Sequence, residues 1–311
     1  MTAEPTTFLD ATRRRIEARL RDLLPSDGDD HSLADAISDG ALAPGKRLRP
    51  LMTVLIAEDL GGSAEAAIEI GCAIELVHAA SLILDDLPCM DNADLRRGRP
   101  AIHARHGEDV AVLAAVAMLN QAYLICARAP ELSAETRLGC VAILSEAIGL
   151  DGLVGGQFRD LHDTTGRRGE DEIVEINALK TGALFAAAVE IGCEIGRAGP
   201  DAAADLADFA SAIGQAFQLL DDLLDVEAGA EQSGKTPGRD AGKATIVSIE
   251  GPAAARRLIE AHRSQAHMRL EMVFGSGSRM ARLVDAIFED AYRRLSAGYR
   301  IRVPERQAGA V

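Results

Sequence analysis

Apolar positions recur along this chain with a helical period and almost nowhere with the two-residue alternation of a half-buried strand. Residues 6–24 read as an amphipathic helix, followed by a polar, Asp-rich link over 25–31. A second helix spans 46–60, set off by the breaker pair Pro44-Gly45, with Leu48, Leu51, Val54, Leu55 and Ala57 on one side. From 64 to about 87 runs a helix that is apolar nearly all round, the pattern of a segment at the centre of a bundle. Pro88 stops it. The stretch 90–100 reads as a charged loop, and further helices are predicted over 107–128, 133–150, 152–163, 170–192, 201–225, 252–273 and 278–299. Between 201–225 and 252–273 lies a Gly- and Lys-rich segment, 229–243, with the composition of a mobile flap. Valine and isoleucine nowhere gather into runs bounded by turn residues, so the expected fold is all-α. The length, 311 residues, fits one large domain or two small ones, and no internal repeat is visible.

Composition narrows the function. Hydrophobic residues make up 48% of the chain, ample for a sizeable core, and aromatics only 3%. The net charge of −15 argues against nucleic acid or an anionic membrane as partner, since both reward basic faces. Five cysteines without CxxC spacing read as reduced thiols. The N-terminus lacks an apolar signal core, and no run of about 18 uncharged apolar residues suggests a membrane span.

The candidate chemistry sits in two aspartate clusters. DDLPCMD covers Asp85, Asp86 and Asp91 and is followed at once by Arg96-Arg97; QLLDDLLD covers Gln218, Asp221, Asp222 and Asp225. Carboxylates at the ends of apolar segments are costly unless a cation sits between them. Two such clusters across a cavity make a cage for hard divalent ions, with magnesium the best match because it leaves positions for phosphate oxygens. Arginines alongside then serve as grips for a phosphate-bearing substrate. Asp221 and Asp225, four apart, share a helical face with Gln218. GKRLRP places Lys46, Arg47 and Arg49 at a helix start, a phosphate-binding position or simply a solvated basic turn. His78 lies two turns before Asp85 on the same face, either a satisfied core histidine or part of the site. Lys180-Thr181 interrupts the apolar run INALKTGALF, so Lys180 needs an anion, whether a structural carboxylate or a ligand.

In chain order, GKRLRP, ELVHAASLILDDLPCMDNADLRRGRP, GGQFRDL, LKTGALF, GQAFQLLDDLLD and GKTPGRDAGKAT resemble the landmarks of the trans-isoprenyl diphosphate synthases over essentially the whole chain. The four-residue spacer between Asp86 and Asp91 is similar to that of bacterial farnesyl and of bacterial and plant geranylgeranyl synthases. The surrounding run looks most like the geranylgeranyl diphosphate synthases of bacterial carotenoid pathways. The resemblance implies a single domain over 1–311, a bundle of ten or more helices around a central cavity, and head-to-tail prenyl transfer from allylic diphosphates to isopentenyl diphosphate. It implies about three Mg2+ ions, held by Asp85 and Asp91 with help from Asp86, and by Asp221 with Asp222 and Asp225 nearby. Arg96, Lys180 and Lys235 would grip the allylic diphosphate, and Lys46, Arg49, His78 and Arg97 the isopentenyl diphosphate. Thr181 and Gln218 would line the reacting carbons. Asn92 and Ala93 stand where many relatives carry carboxylates. A homodimer in the cytoplasm is implied as well, with the apolar faces of 110–125 and 138–149 as candidate contact surface. Farnesyl relatives commonly carry an aromatic ring where this chain has Ala80, next to Ser81, so a 20-carbon product is expected. Met118 or Leu119 is expected as the floor that stops it. A terpene cyclase, a head-to-head squalene-type synthase and a non-catalytic partner subunit are the rival readings. A cyclase has no use for a second basic diphosphate grip, and a partner subunit typically loses aspartates that this chain keeps.

Overall fold

The computed structural model of the chain describes residues 7–25, 31–162, 168–228 and 245–296. Its centre is α4 (Ala64–Asp85), numbered after α1 (Thr7–Leu23), α2 (His31–Ala41) and α3 (Leu48–Asp59). Ser63 caps α4 by accepting a hydrogen bond from the Ala66 N–H at 3.1 Å. Beyond that cap α4 is buried on every face, from Ala66 to Ile83, as its all-round apolarity requires. Packed on it are α1, α2, α3, α6 (Glu108–Arg128) and α10 (Ala183–Gly196). On the far side of α10 lies the long α11 (Pro200–Ala228), which runs along α13 (Pro252–Phe274). A continuous cluster of buried side chains joins these helices, with Phe185, Phe209 and Phe288 among the largest fully buried.

Several elements depart from the expected pattern. Residues 31–41, left without a helix in the sequence reading, form α2, which buries Ala36, Ile37 and Ala41 against neighbouring helices. Short helices α5 (Ile102–His106) and α12 (Ile246–Glu250) are likewise additions. The charged loop contains a minimal antiparallel ladder, β1 (Leu95–Arg96) with β2 (Arg99–Pro100). Arg97 (φ 53°) and Gly98 (φ 74°) turn it, both left-handed as a type I′ turn demands. The predicted helix 170–192 is three pieces, α9 (Glu170–Asn177), a π turn (Ala178–Gly182) and α10. The remaining helices, α7 (Ala134–Ile148), α8 (Leu153–Leu161) and α14 (Arg279–Ser296), fall where expected.

The sequence reading found no membrane-length apolar segment, but among the described residues four helical stretches are long and apolar enough to cross a membrane, by length and composition: 64–85, 108–128, 134–161 and 170–196. In α4 the burial of that surface against other helices accounts for its apolarity. Cys72, Cys126, Cys140 and Cys193 are buried free thiols, their pKa values pushed up to about 12 by burial, which keeps them unreactive. Cys89 is free and exposed. The flap expected over 229–243, and Lys235 with it, lies outside the described residues.

Candidate active site

The first aspartate cluster is shaped by the end of α4. The helix stops at Asp85, and the chain closes back on itself: Asp91 N–H donates to the Asp85 carbonyl at 2.9 Å, Asn92 to that of Leu87 at 2.9 Å and Ala93 to that of Asp86 at 3.1 Å. This fold-back brings Asp91 within electrostatic reach of both Asp85 and Asp86. Burial raises the pKa of Asp85; Asp91 and Asp86 add to that shift, while Lys180 and Arg96 oppose it. Burial also raises Asp86, against the pull of Arg96. Buried carboxylates that repel one another are a site waiting for a cation, and the all-oxygen donor set fits a hard divalent ion.

Asp86 was expected to help hold that ion, yet it is nearly fully buried and gripped by Arg96, whose Nε lies 2.9 and 3.1 Å from its two oxygens. The guanidinium and carboxylate neutralise each other. Arg96, expected on the allylic diphosphate, is therefore engaged on its own motif.

The second cluster is carried by α11. Gln218 donates to Asp222 Oδ1 at 2.8 Å and accepts from the Thr181 hydroxyl at 2.8 Å. Asp221 is exposed and lies within electrostatic reach of Arg97 beside the first motif. The π turn links the two clusters. Lys180 Nζ stands 3.9 Å from Asp85 Oδ2, and its neighbour Thr181 bonds Gln218. A π turn inserts a residue into the helical repeat, so adjacent side chains reach targets that a regular helix would separate; such insertions favour functional sites. Among the described residues no three Asp, Glu, His or Cys side chains converge to hold an ion unaided.

Lys180 has its anion. Lys180 Nζ donates a hydrogen bond to Asp160 Oδ2 at 2.9 Å, and Asp160 Oδ1 lies 3.2 Å from buried Arg168, which also bonds the Arg159 and Asp160 carbonyls. Asp160 was not singled out in the sequence. Its signal was the GGQFRDL landmark itself, where an acid three residues after a glutamine shares that glutamine's helix face.

The basic set separates from the aspartates. Arg49 lies over the Phe185 ring at 4.3 Å, and Phe185 in turn packs on Phe217 with centroids 5.3 Å apart. Burial lowers the Arg49 pKa to about 10, with Glu75 opposing and Arg97 adding, so Arg49 stays charged at neutral pH. Its Nε has no hydrogen-bond partner. His78 is held neutral: burial pushes its pKa well below 6.5, and Arg49, Arg97, Arg47 and Arg96 push it further. Lys46 pairs with Asp290 of α14 at 2.8 Å, and Arg97 bonds the Pro44 carbonyl. Arg47 plays another part, buried against Glu75 at 2.8 Å and bonded to the Ala43 carbonyl at 2.9 Å.

A cavity of about 100 Å³ joins these groups, with Asp85, Lys180, Thr181, Arg49, His78 and Ser81 on its wall. On the next face of α4 a larger one, about 320 Å³, is lined by Arg47, Glu75, Arg96 and Arg97, and it shares His78 and Leu82 with the first. Ser81 faces the smaller cavity, whereas Ala80 and Met118, expected along the product's tail, are fully enclosed in the core rather than on its wall. Ligand pockets usually measure about 300–1,000 Å³; the larger cavity falls within that range and the smaller one below it.

A mainly helical body with two aspartate clusters bridged by a π turn, and a separate arginine–lysine–histidine group, has the charge layout of an enzyme that handles anionic substrates. Comparison with known proteins specifies the class. The sequence profile of the polyprenyl synthetase family matches residues 30–276, and the chain belongs to that family of prenyltransferases. It is 43% identical over 276 residues to the geranylgeranyl diphosphate synthase of Pantoea ananas, covering 88% of this chain and 90% of that one. Identity to the geranylgeranyl diphosphate synthase of Pseudescherichia vulneris is 41%, over 91% and 92% of the two chains. Among solved structures, an FPP/GFPP synthase from Zymomonas mobilis superposes with a TM-score of 0.82 at 34% identity, over 92% and 99% of the chains. A geranyltransferase from Helicobacter pylori, complexed with magnesium and isoprenyl diphosphate, gives 0.83 at 26% identity over 94% and 99%. Family membership implies use of a divalent metal, which the buried, mutually repelling aspartates fit.

Proposed function

We propose that the protein condenses isopentenyl diphosphate with allylic diphosphates in 1'-4 fashion and releases geranylgeranyl diphosphate. The observation that carries this reading is the π turn, which ties Lys180 to Asp85 and Thr181 to Gln218 while Arg49 and His78 face the same cavity from α3 and α4. That arrangement suits two diphosphates of different needs. The one that leaves meets the aspartates; the one that stays meets only basic groups and a neutral imidazole.

When bound, Mg2+, proposed as about three ions on Asp85, Asp91 and Asp221 with Asp222 and Asp225 nearby, neutralises charge on the departing diphosphate. Lys180, fixed by Asp160, supplies a preorganised positive charge beside the same headgroup. Arg96 joins it by exchanging Asp86 for phosphate oxygens, and Lys235 is assigned to that headgroup too. Lys46, Arg49, His78 and Arg97 hold isopentenyl diphosphate. The C1–O bond of the allylic partner breaks, its C1 bonds the terminal alkene carbon of isopentenyl diphosphate, and the C2 proton leaves to the released diphosphate. Leu82, Leu153 and Leu184 keep water from the cation.

The polypeptide is proposed as one domain working as a cytoplasmic homodimer. Leu113 and Val116 on α6 and Leu138 on α7 are 56%, 57% and 69% exposed, an apolar surface suited to a second copy. Farnesyl diphosphate is the second reading for the product, favoured by the small cavity. Purified protein given magnesium, isopentenyl diphosphate and each allylic primer in turn tests the proposal. Release of diphosphate with chain elongation supports it, and a cyclised hydrocarbon or no turnover refutes it.

A further inference from the structure

We infer that Asp290 on α14 is a positioning residue for the second substrate, fixing the Lys46 ammonium in the place where isopentenyl diphosphate is to be held. This rests on the prenyl-transfer reading above and adds a residue outside those assigned there.

Two other cations of that subsite are held by their surroundings: Arg49 lies over the Phe185 ring, and Arg97 donates to the Pro44 carbonyl. Lys46 is different. Its side chain is 36% exposed, and a lysine stem left to itself samples many rotamers. Instead Lys46 Nζ pairs with Asp290 Oδ2 at 2.8 Å, while Arg13 of α1 donates to the Lys46 carbonyl at 3.3 Å. Ammonium and backbone are thus tethered from opposite ends of the chain.

Asp290 is itself a firm anchor. Met280, Leu283, Val284, Ile287 and Phe288 bury the inner face of α14, and Arg294, one turn on, pairs with the same Asp290 oxygen at 3.0 Å. Burial would raise the Asp290 pKa, but the Lys46 bond, with Arg294 and Arg293, lowers it, so the carboxylate is charged at neutral pH. As a stabilising device the pair is poor, because partly exposed ion pairs contribute little to folding. Its value lies in order. An ammonium has three protons and Asp290 takes one, which leaves two for phosphate oxygens. Ordering a long side chain on binding weakens affinity, and Asp290 imposes that order before the ligand arrives.

Steady-state kinetics with each substrate varied in turn, alongside thermal melts, tests this on wild type, Asp290→Ala, Asp290→Glu, Lys46→Met and the Lys46→Met/Asp290→Ala double variant. Asp290→Ala should raise the KM for isopentenyl diphosphate about 3- to 10-fold, the effect of ordering one long side chain on binding. The KM for the allylic partner should stay within about twofold. Asp290→Glu keeps the charge and should recover most of the loss. In the Lys46→Met background, Asp290→Ala should add nothing to either KM, since nothing is left to position. A purely structural aspartate predicts otherwise: a lower Tm with both KM values rising together, in either background. That result overturns the inference. So does a KM for isopentenyl diphosphate that stays the same or falls in Asp290→Ala, or one that Lys46→Met leaves unchanged. Absence of turnover by the wild type would instead count against prenyl transfer itself.

Discussion

Replacing Asp160 with asparagine removes the charge that holds Lys180 away from Asp85, a proposed metal carboxylate. Among the described residues Lys180 has two carboxylate neighbours, Asp160 at 2.9 Å and Asp85 at 3.9 Å. At an effective dielectric of ~20, those separations correspond to attractions of about 6 and about 4 kcal/mol before desolvation. Asp160 therefore wins in the wild type, and without its charge the ammonium swings toward Asp85. There it competes with the metal for the same oxygens. A competing contact worth about 1.4 kcal/mol net raises the magnesium concentration for half-maximal rate about tenfold. Loss of Lys180 as a preorganised cation lowers kcat by about 10²-fold. Losing the charge-assisted bond to Lys180, and weakening the contact with Arg168, lowers stability by about 1.5–3 kcal/mol, roughly 3–6 °C in Tm. Magnesium titrations of initial rate, alongside thermal melts, check all three. A lower Tm with unchanged kcat and unchanged magnesium dependence would reduce Asp160 to a structural buttress and refute the reasoning.

Arg49→Ala should raise the KM for isopentenyl diphosphate at least tenfold and that for the allylic partner little, in steady-state assays varying each substrate; equal rises would merge the two subsites. His78 has its folded pKa depressed below 6.5, so its stabilising contribution is present above pH 6.5 and lost as pH falls toward the folded value. His78→Gln should accordingly flatten the loss of Tm below pH 6.5, and an unchanged Tm–pH curve would contradict the buried neutral imidazole. Ala80→Tyr adds a ring where no space is open, costing about 1–3 kcal/mol in overpacking. It should also shorten the product to 15 carbons by chromatography, whereas an unchanged product places the floor elsewhere.

What was legible in the sequence follows from length and periodicity. Helices α3, α4, α6, α11 and α13 carry several turns of apolar residues, enough for the pattern to dominate. Helix α2 holds Ser32, Asp35, Ser38, Asp39 and Gly40, turn-like residues, and only packing of Ala36, Ile37 and Ala41 makes it a helix. The π turn is invisible to periodicity because one inserted residue leaves the surrounding apolar run intact. Among site residues, the aspartates stood out because charge at the end of an apolar helix is anomalous wherever it occurs. Partners were not legible: Phe185 under Arg49, Asp290 on Lys46 and Asp160 on Lys180 are set by tertiary contact. Asp86 was expected on the metal and pairs with Arg96, because the two-residue turn at Arg97-Gly98 folds Arg96 back over the helix end.

The central claim is that both aspartate clusters serve one ionisation, reached together through the π turn. It is tested most directly by following radiolabelled isopentenyl diphosphate into prenyl diphosphates with magnesium and farnesyl diphosphate, for wild type, Asp85→Ala and Asp221→Ala. Wild type should yield a 20-carbon diphosphate, and each variant should lose about 10²–10³ in rate while keeping a native circular dichroism spectrum. Near-normal turnover by either folded variant would contradict the account.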